Sequence, residues 1–222
     1  MIETENYFIK KTYYELIALK CLSIIHPETF DFDKFLENRK NENSFPDWEL
    51  NDTQLEVVRL IDEDMAKRIK DTNDIFLSKR KKSAMRKKKK ELKTYKNSHG
   101  IISIKSLMGV PIIETELITE EKLCEILLLQ LTKKNNYLKN KNNIKNISLF
   151  VHCSEEIQSI NLINLTINQL KNNHYKTIYI GCLHKNDYYV FEYENGRKLK
   201  TYHNLRLDCQ TLGKIAIDRG WN

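Results

Sequence analysis

Asp47, Glu56 and Glu15 are the carboxylates whose placement could do chemistry. Asp47 opens the segment Asp47-Trp48-Glu49-Leu50. Glu56 lies within 54–61, a run of branched apolar residues that reads as a strand. In that strand Leu55, Val57 and Arg59 face one way, and Glu56, Val58 and Leu60 the other. A carboxylate on the same face as Val58 and Leu60 costs several kcal/mol if it is buried alone. Three arrangements relieve that cost: a divalent cation, a Lys or Arg from the adjacent helix, or a solvent-facing side. The spacing leaves all three open. Asp47 and Glu56 on adjoining strands suit the oxygen-only coordination of Mg²⁺, with Mn²⁺ as a substitute. Such an ion polarises a phosphodiester and generates hydroxide from bound water.

The elements that position these groups follow from periodicity and breakers. Apolar residues at helical spacing from Phe8 to Ile25 predict a helix that stops at Pro27 and carries Glu15 on or beside its buried stripe. A short helix is expected around Phe32–Leu36. Trp48–Leu50 and the 54–61 run, joined by a turn at Asn51-Asp52, make a hairpin. A helix is expected from Asp62 to Phe76, continuing towards Lys96. The run Ile101–Ile104 reads as a strand or loop. A strong helix follows from 119 to 135, then a strand 147–152, a helix 157–170 and strands 177–183 and 188–193. A short final helix is expected within the last twenty or so residues. Strands fed by crossover helices imply an α/β core, parallel at least in its second half.

The segments Phe45-Pro46-Asp47-Trp48-Glu49-Leu50 and Leu55-Glu56-Val57-Val58-Arg59-Leu60 resemble the core of the PD-(D/E)xK nuclease superfamily, the restriction-endonuclease-like fold. In that family a Glu-bearing helix leads into a hairpin. Asp47 after Pro46 matches the first-strand Asp, Glu56 the acid of E-x-K, and Glu15 the upstream helix Glu. The resemblance implies a restriction-endonuclease-like core with a mixed central sheet flanked by helices. It also implies Mg²⁺-dependent hydrolysis of DNA phosphodiester bonds, with Glu15, Asp47 and Glu56 as metal ligands. The whole chain is expected to form one nuclease-like domain, with 77–115 as a basic, helical insertion. One position departs from the pattern: Val58 stands where E-x-K has its lysine. Similar proteins recruit the missing group from the following helix, where Gln130, Lys133 and Lys134 are the candidates. Its role is to orient the attacking water and neutralise charge developing on phosphorus. Without it, the fold would serve as an inactive nucleic-acid-binding protein or an assembly subunit.

Charge is concentrated. The 222 residues hold 37 Lys or Arg against 30 Asp or Glu, a net +7. The stretch 79–93 contributes +9 of it, leaving −2 for the rest. Lys79, Arg80, Lys81, Lys82, Arg86, Lys87, Lys88, Lys89 and Lys90 form its body, with no large apolar face for a membrane. A phosphate backbone is the partner this block suits, a solvated Lys-rich helix being the plainer alternative, and the nuclease resemblance implies that the backbone is DNA. An acidic protein partner and a homodimer stay open. Cys21, Cys124, Cys153, Cys182 and Cys209 have no C-x-x-C spacing and read as small hydrophobes in a reducing, cytoplasmic setting. No signal peptide and no span of ~20 apolar residues is present. The glycines form no phosphate-binding loop, which argues against ATP chemistry, and the histidines form no zinc spacing. His152 at a strand end beside Cys153 is more often incidental than a ligand or base. The rings of Tyr188, Tyr189, Phe191 and Tyr193 alternate along a strand, which suits core packing better than base stacking.

Overall fold

Eight consecutive residues of the first helix, Thr12 to Leu19, are buried, and an acid lies among them. This helix, α1 (Lys11–Ile25), ends where Pro27 removes the next donor, with the His26 N–H closing the last turn on the Leu22 carbonyl. The computed structural model describes residues 11–39, 45–60, 101–107, 110–115, 120–140, 146–156, 160–169, 173–184 and 187–218. After α1 comes α2 (Phe32–Glu37), its N-terminus capped by the Asp31 carboxylate accepting from the Lys34 N–H. The hairpin β1 (Trp48–Leu50) and β2 (Thr53–Leu60) turns at Asn51, whose φ of 52° suits Asn better than most residues.

The chain divides into two compact units. The first comprises 1–60 and 123–222, and the second 61–122. Within the second lie β3 (Ile101–Leu107) and β4 (Val110–Thr115), an antiparallel pair. The stretch 77–115 expected as an insertion falls inside this unit. The expected helix from 62 towards 96, and the basic block on it, lie outside the described residues.

The chain then forms α3 (Glu120–Lys139), β5 (Ile147–Glu156), α4 (Ile160–Asn168), β6 (Ile178–His184), β7 (Asp187–Glu194), β8 (Arg197–Tyr202) and α5 (Cys209–Asp218). The first unit is α/β, with a six-stranded mixed sheet in the order β1-β2-β5-β6-β7-β8, flanked by helices. β2 runs parallel to β5, and β5 parallel to β6. From β6 onward the sheet is an antiparallel meander. This corrects the expectation of a parallel second half: the parallel strands are central, because only β2–β5 and β5–β6 have helical crossovers. β4 and β8 were also not anticipated.

Alternation along β2 sorts the two faces. Leu55 and Val57 join α1, α2 and α5 in one cluster that includes Leu16, Leu19, Phe35, Phe150 and Leu212. Glu56, Val58 and Leu60 face the other side, where α3 lies; α4 covers the same side through Asn164, which accepts from the Tyr193 hydroxyl. All five cysteines are free thiols. Cys21, Cys153 and Cys182 are buried as expected, whereas Cys209 is exposed. No helix among the described residues is long and apolar enough to cross a membrane.

Candidate active site

The register Trp48↔Leu55 fixes the relation between the two hairpin carboxylates. Asp47 sits in the bend that leads into β1, just before the residue paired with Leu55. Asp47 turns back across the hairpin, where its Oδ2 accepts the Val57 N–H at 2.7 Å. Both acids are buried, Asp47 at 6% exposure and Glu56 at 4%.

The partner of Glu56 comes from α3. Lys134 places its Nζ on Glu56 Oε1 at 2.5 Å, bridging 78 positions of sequence. An ammonium thus reaches Glu56 from the neighbouring helix. Of the three α3 candidates, the structure brings Lys134 to the acid. Gln130 is half-buried one turn before it, and Lys133 is exposed.

Residues that sequence reasoning missed hold this turn of α3 in place. Asn135, buried, accepts the His174 N–H through its Oδ1 at 2.7 Å. The Tyr175 hydroxyl donates to the Lys134 carbonyl at 3.4 Å, and Asn173 caps the same loop by pairing with both backbone groups of Tyr175. Burial raises the Tyr175 phenol well above its ordinary value; the Glu56 and Asp47 charges add to the shift. Tyr175 thus stays a neutral donor within the field of both acids. No sequence motif marked it, because its link to α3 depends on how the loop after α4 returns to the sheet.

Glu15 lies on the buried stripe of α1, as its helix position implied. It is 1% exposed, and its Oε2 takes the Arg39 guanidinium at 2.6 Å. Arg39 is itself buried and lies 4.9 Å over the Trp48 ring, on the side of the sheet that α1 covers. Glu56 is on the α3 side. Among the described residues, no group of three or more His, Cys, Asp or Glu side chains is arranged to hold a metal. Glu15 is paired with Arg39, whereas Glu56 is paired with Lys134. The cationic residues from Lys79 to Lys90 lie outside the described residues.

Arg59 points to the α1 face, as the strand alternation requires, and sits 4.2 Å over the Tyr14 ring. His152 is on the same side, within 2.7 Å of the Tyr188 hydroxyl through Nδ1. Burial, helped by the Arg59 charge, pushes its pKa down to about 3, so the ring is neutral at ordinary pH. This is a satisfied core histidine.

No family model matches the chain, and neither does any curated protein or solved structure. The resemblance to the PD-(D/E)xK superfamily accordingly stands on the residues themselves.

Proposed function

We propose that the chain is a metal-dependent nuclease that hydrolyses DNA phosphodiester bonds at Asp47, Glu56 and Lys134. One observation supports this above the others. The lysine missing from the E-x-K strand position has a counterpart in Lys134, which reaches Glu56 from α3 while Asp47 lies across the hairpin. The donor set fits a hard divalent ion without Glu15. Mg²⁺ commonly takes one or two carboxylates and fills its remaining positions with water and substrate phosphate oxygens. Asp47 and Glu56 would hold it, and bound there it would polarise the scissile phosphate and acidify a water.

The chain's own groups have separate tasks. Asp47 is oriented by the Val57 N–H, so its carboxylate is set before substrate arrives. Lys134 offsets negative charge at Glu56 and supplies an ammonium where charge develops on phosphorus. Tyr175 and Asn135 keep the helical turn of Lys134 in register with the hairpin. The basic block at 79–93 would grip the backbone without reading sequence.

The test is cleavage of labelled single- and double-stranded DNA with Mg²⁺ or Mn²⁺. Activity is expected in the native chain and lost in the Asp47→Ala, Glu56→Ala double variant. Undiminished cleavage by that variant refutes the reading. A second reading, an inactive nuclease-like protein that binds nucleic acid, is favoured by the closure of both Glu15 and Glu56 by basic partners. It predicts DNA binding with no cleavage, and no thermal stabilisation by Mg²⁺ or Mn²⁺.

A further inference from the structure

A cavity of about 400 Å³ opens on the α1 side of the sheet, away from the Asp47–Glu56 pair. It lies where the starts of β5 and β6, the end of β7 and the β1–β2 turn come together beside the residues that follow α1. Its size is within the range of small-molecule sites.

The lining is built around Glu192. This side chain is only 12% exposed and has two partners: the Tyr202 hydroxyl donates to Oε2 at 2.7 Å, and His26 Nε2 lies 3.5 Å from Oε1. The His26 ring in turn packs against Tyr179 and Tyr202, at centroid separations of 6.0 and 5.9 Å. Asp52 and Glu194 add two further carboxylates, and among the described residues Lys176 is the one ammonium lining the cavity. Acids therefore outnumber permanent cations three to one among the lining residues, with Lys200 set opposite Glu192 in the sheet and its Nζ 4.9 Å from the Tyr202 ring centroid. The excess of carboxylates disfavours phosphates and carboxylates as guests. The Glu192 carboxylate and the hydroxyls of Thr53, Ser148 and Thr177 make it unsuited to a wholly apolar guest.

We propose that this cavity binds a small organic cation, an amine or guanidinium whose charged end meets Glu192 and whose body lies against the His26 and Tyr179 rings. A fixed carboxylate beside aromatic faces is the combination that favours such a guest, because ring quadrupoles and carboxylate attract the same charge. A bare metal ion has no apolar body to lie against these rings, and agmatine does.

The experiment uses the full chain and agmatine, which carries a guanidinium and an ammonium, titrated calorimetrically at fixed ionic strength. Saturable binding is expected, with the His26 and Tyr179 ring resonances shifting. Glu192→Gln should weaken it by at least about tenfold, the loss of one charge-assisted hydrogen bond. Asp47→Asn should leave it unchanged, which separates this site from the acidic pair whatever the fate of the nuclease reading. If Glu192→Gln does not fold, the exposed Glu194→Gln provides the same comparison, with a loss of about threefold expected from removing one solvent-screened charge. Absence of saturable binding, or equal affinity in whichever of these two variants is compared, overturns the proposal. So does displacement of bound agmatine by neutral ribose.

Discussion

Glu15 and Glu56 are both buried acids closed by a base, yet the two pairs differ in depth. Arg39 and Glu15 are 5% and 1% exposed, whereas Lys134 keeps 30% of its side chain in contact with solvent. Removing one partner of a buried pair strands the other charge, at a cost of about 3–5 kcal/mol. Arg39→Met should therefore destabilise by about that amount in urea unfolding. Lys134→Met should cost less, because water can approach Glu56 where the ammonium was. Adding Glu56→Gln to Lys134→Met should recover much of the loss, since the stranded charge is then gone. An equal or larger effect of Lys134→Met would contradict this ordering. In cleavage assays the order should reverse, Lys134→Met costing more activity than Arg39→Met. His152 gives a pH signature at the same scale. Its folded pKa of about 3 is below the ordinary 6.5, so folding favours the neutral ring. That contribution is intact above pH 6.5 and is lost as pH falls towards 3, by about 1.4 kcal/mol per unit. His152→Gln should remove this slope from the pH dependence of unfolding, and parallel curves for variant and native chain would show that it does not arise there.

Turns and close approaches decide which elements could be foreseen. The hairpin at Asn51-Asp52 was legible because a turn pair separates two apolar runs. β8 was missed although Asn195-Gly196 precedes it, and both residues take positive φ, 49° and 76°, as the primed hairpin turn requires. The exposed, Lys-rich sequence 197–202 hid that strand, since an edge strand with charged residues lacks an apolar period. Gly196→Val should cost about 1 kcal/mol, read as a lower melting temperature, because a β-branched residue opposes positive φ. Gly181 is a stricter case. A Cβ there would run into the Tyr188 hydroxyl and the Phe150 ring. Gly181→Ala should lose about 1–3 kcal/mol through forced repacking; a neutral result would mean the β6–β7 packing can relax. At the acidic site, Asp47 and Glu56 were readable from strand alternation. The choice of Lys134 over Lys133 was not, since it depends on the rotation of α3 about its axis. Glu15 was readable as a position on the buried stripe, but its partner Arg39, from beyond α2, was not.

For the first unit as a whole, the α/β class was written in the alternation of helical and strand periods, and the mixed sheet follows from which strands have crossovers. The antiparallel end was obscured because Tyr188–Tyr193 reads the same whichever way its neighbour runs. The basic block remains a sequence feature, and its test is ionic. Replacing Lys87, Lys88, Lys89 and Lys90 with Gln should weaken DNA binding at low salt and flatten the dependence of affinity on salt, by about 0.9 for each phosphate that is no longer neutralised. An unchanged slope would remove these lysines from the interface.

β2, which carries Glu56, has its parallel partner β5 nearly ninety residues downstream, with the second unit in between. During synthesis the N-terminal hairpin therefore emerges with one rim unpaired, and its neighbour follows only after all of 61–122 has left the ribosome. At about 5–20 residues per second, that rim waits several seconds with open backbone donors and acceptors. The early chain thus carries that open rim through the synthesis of 61–122, and Glu56 gains its lysine only once translation has passed α3.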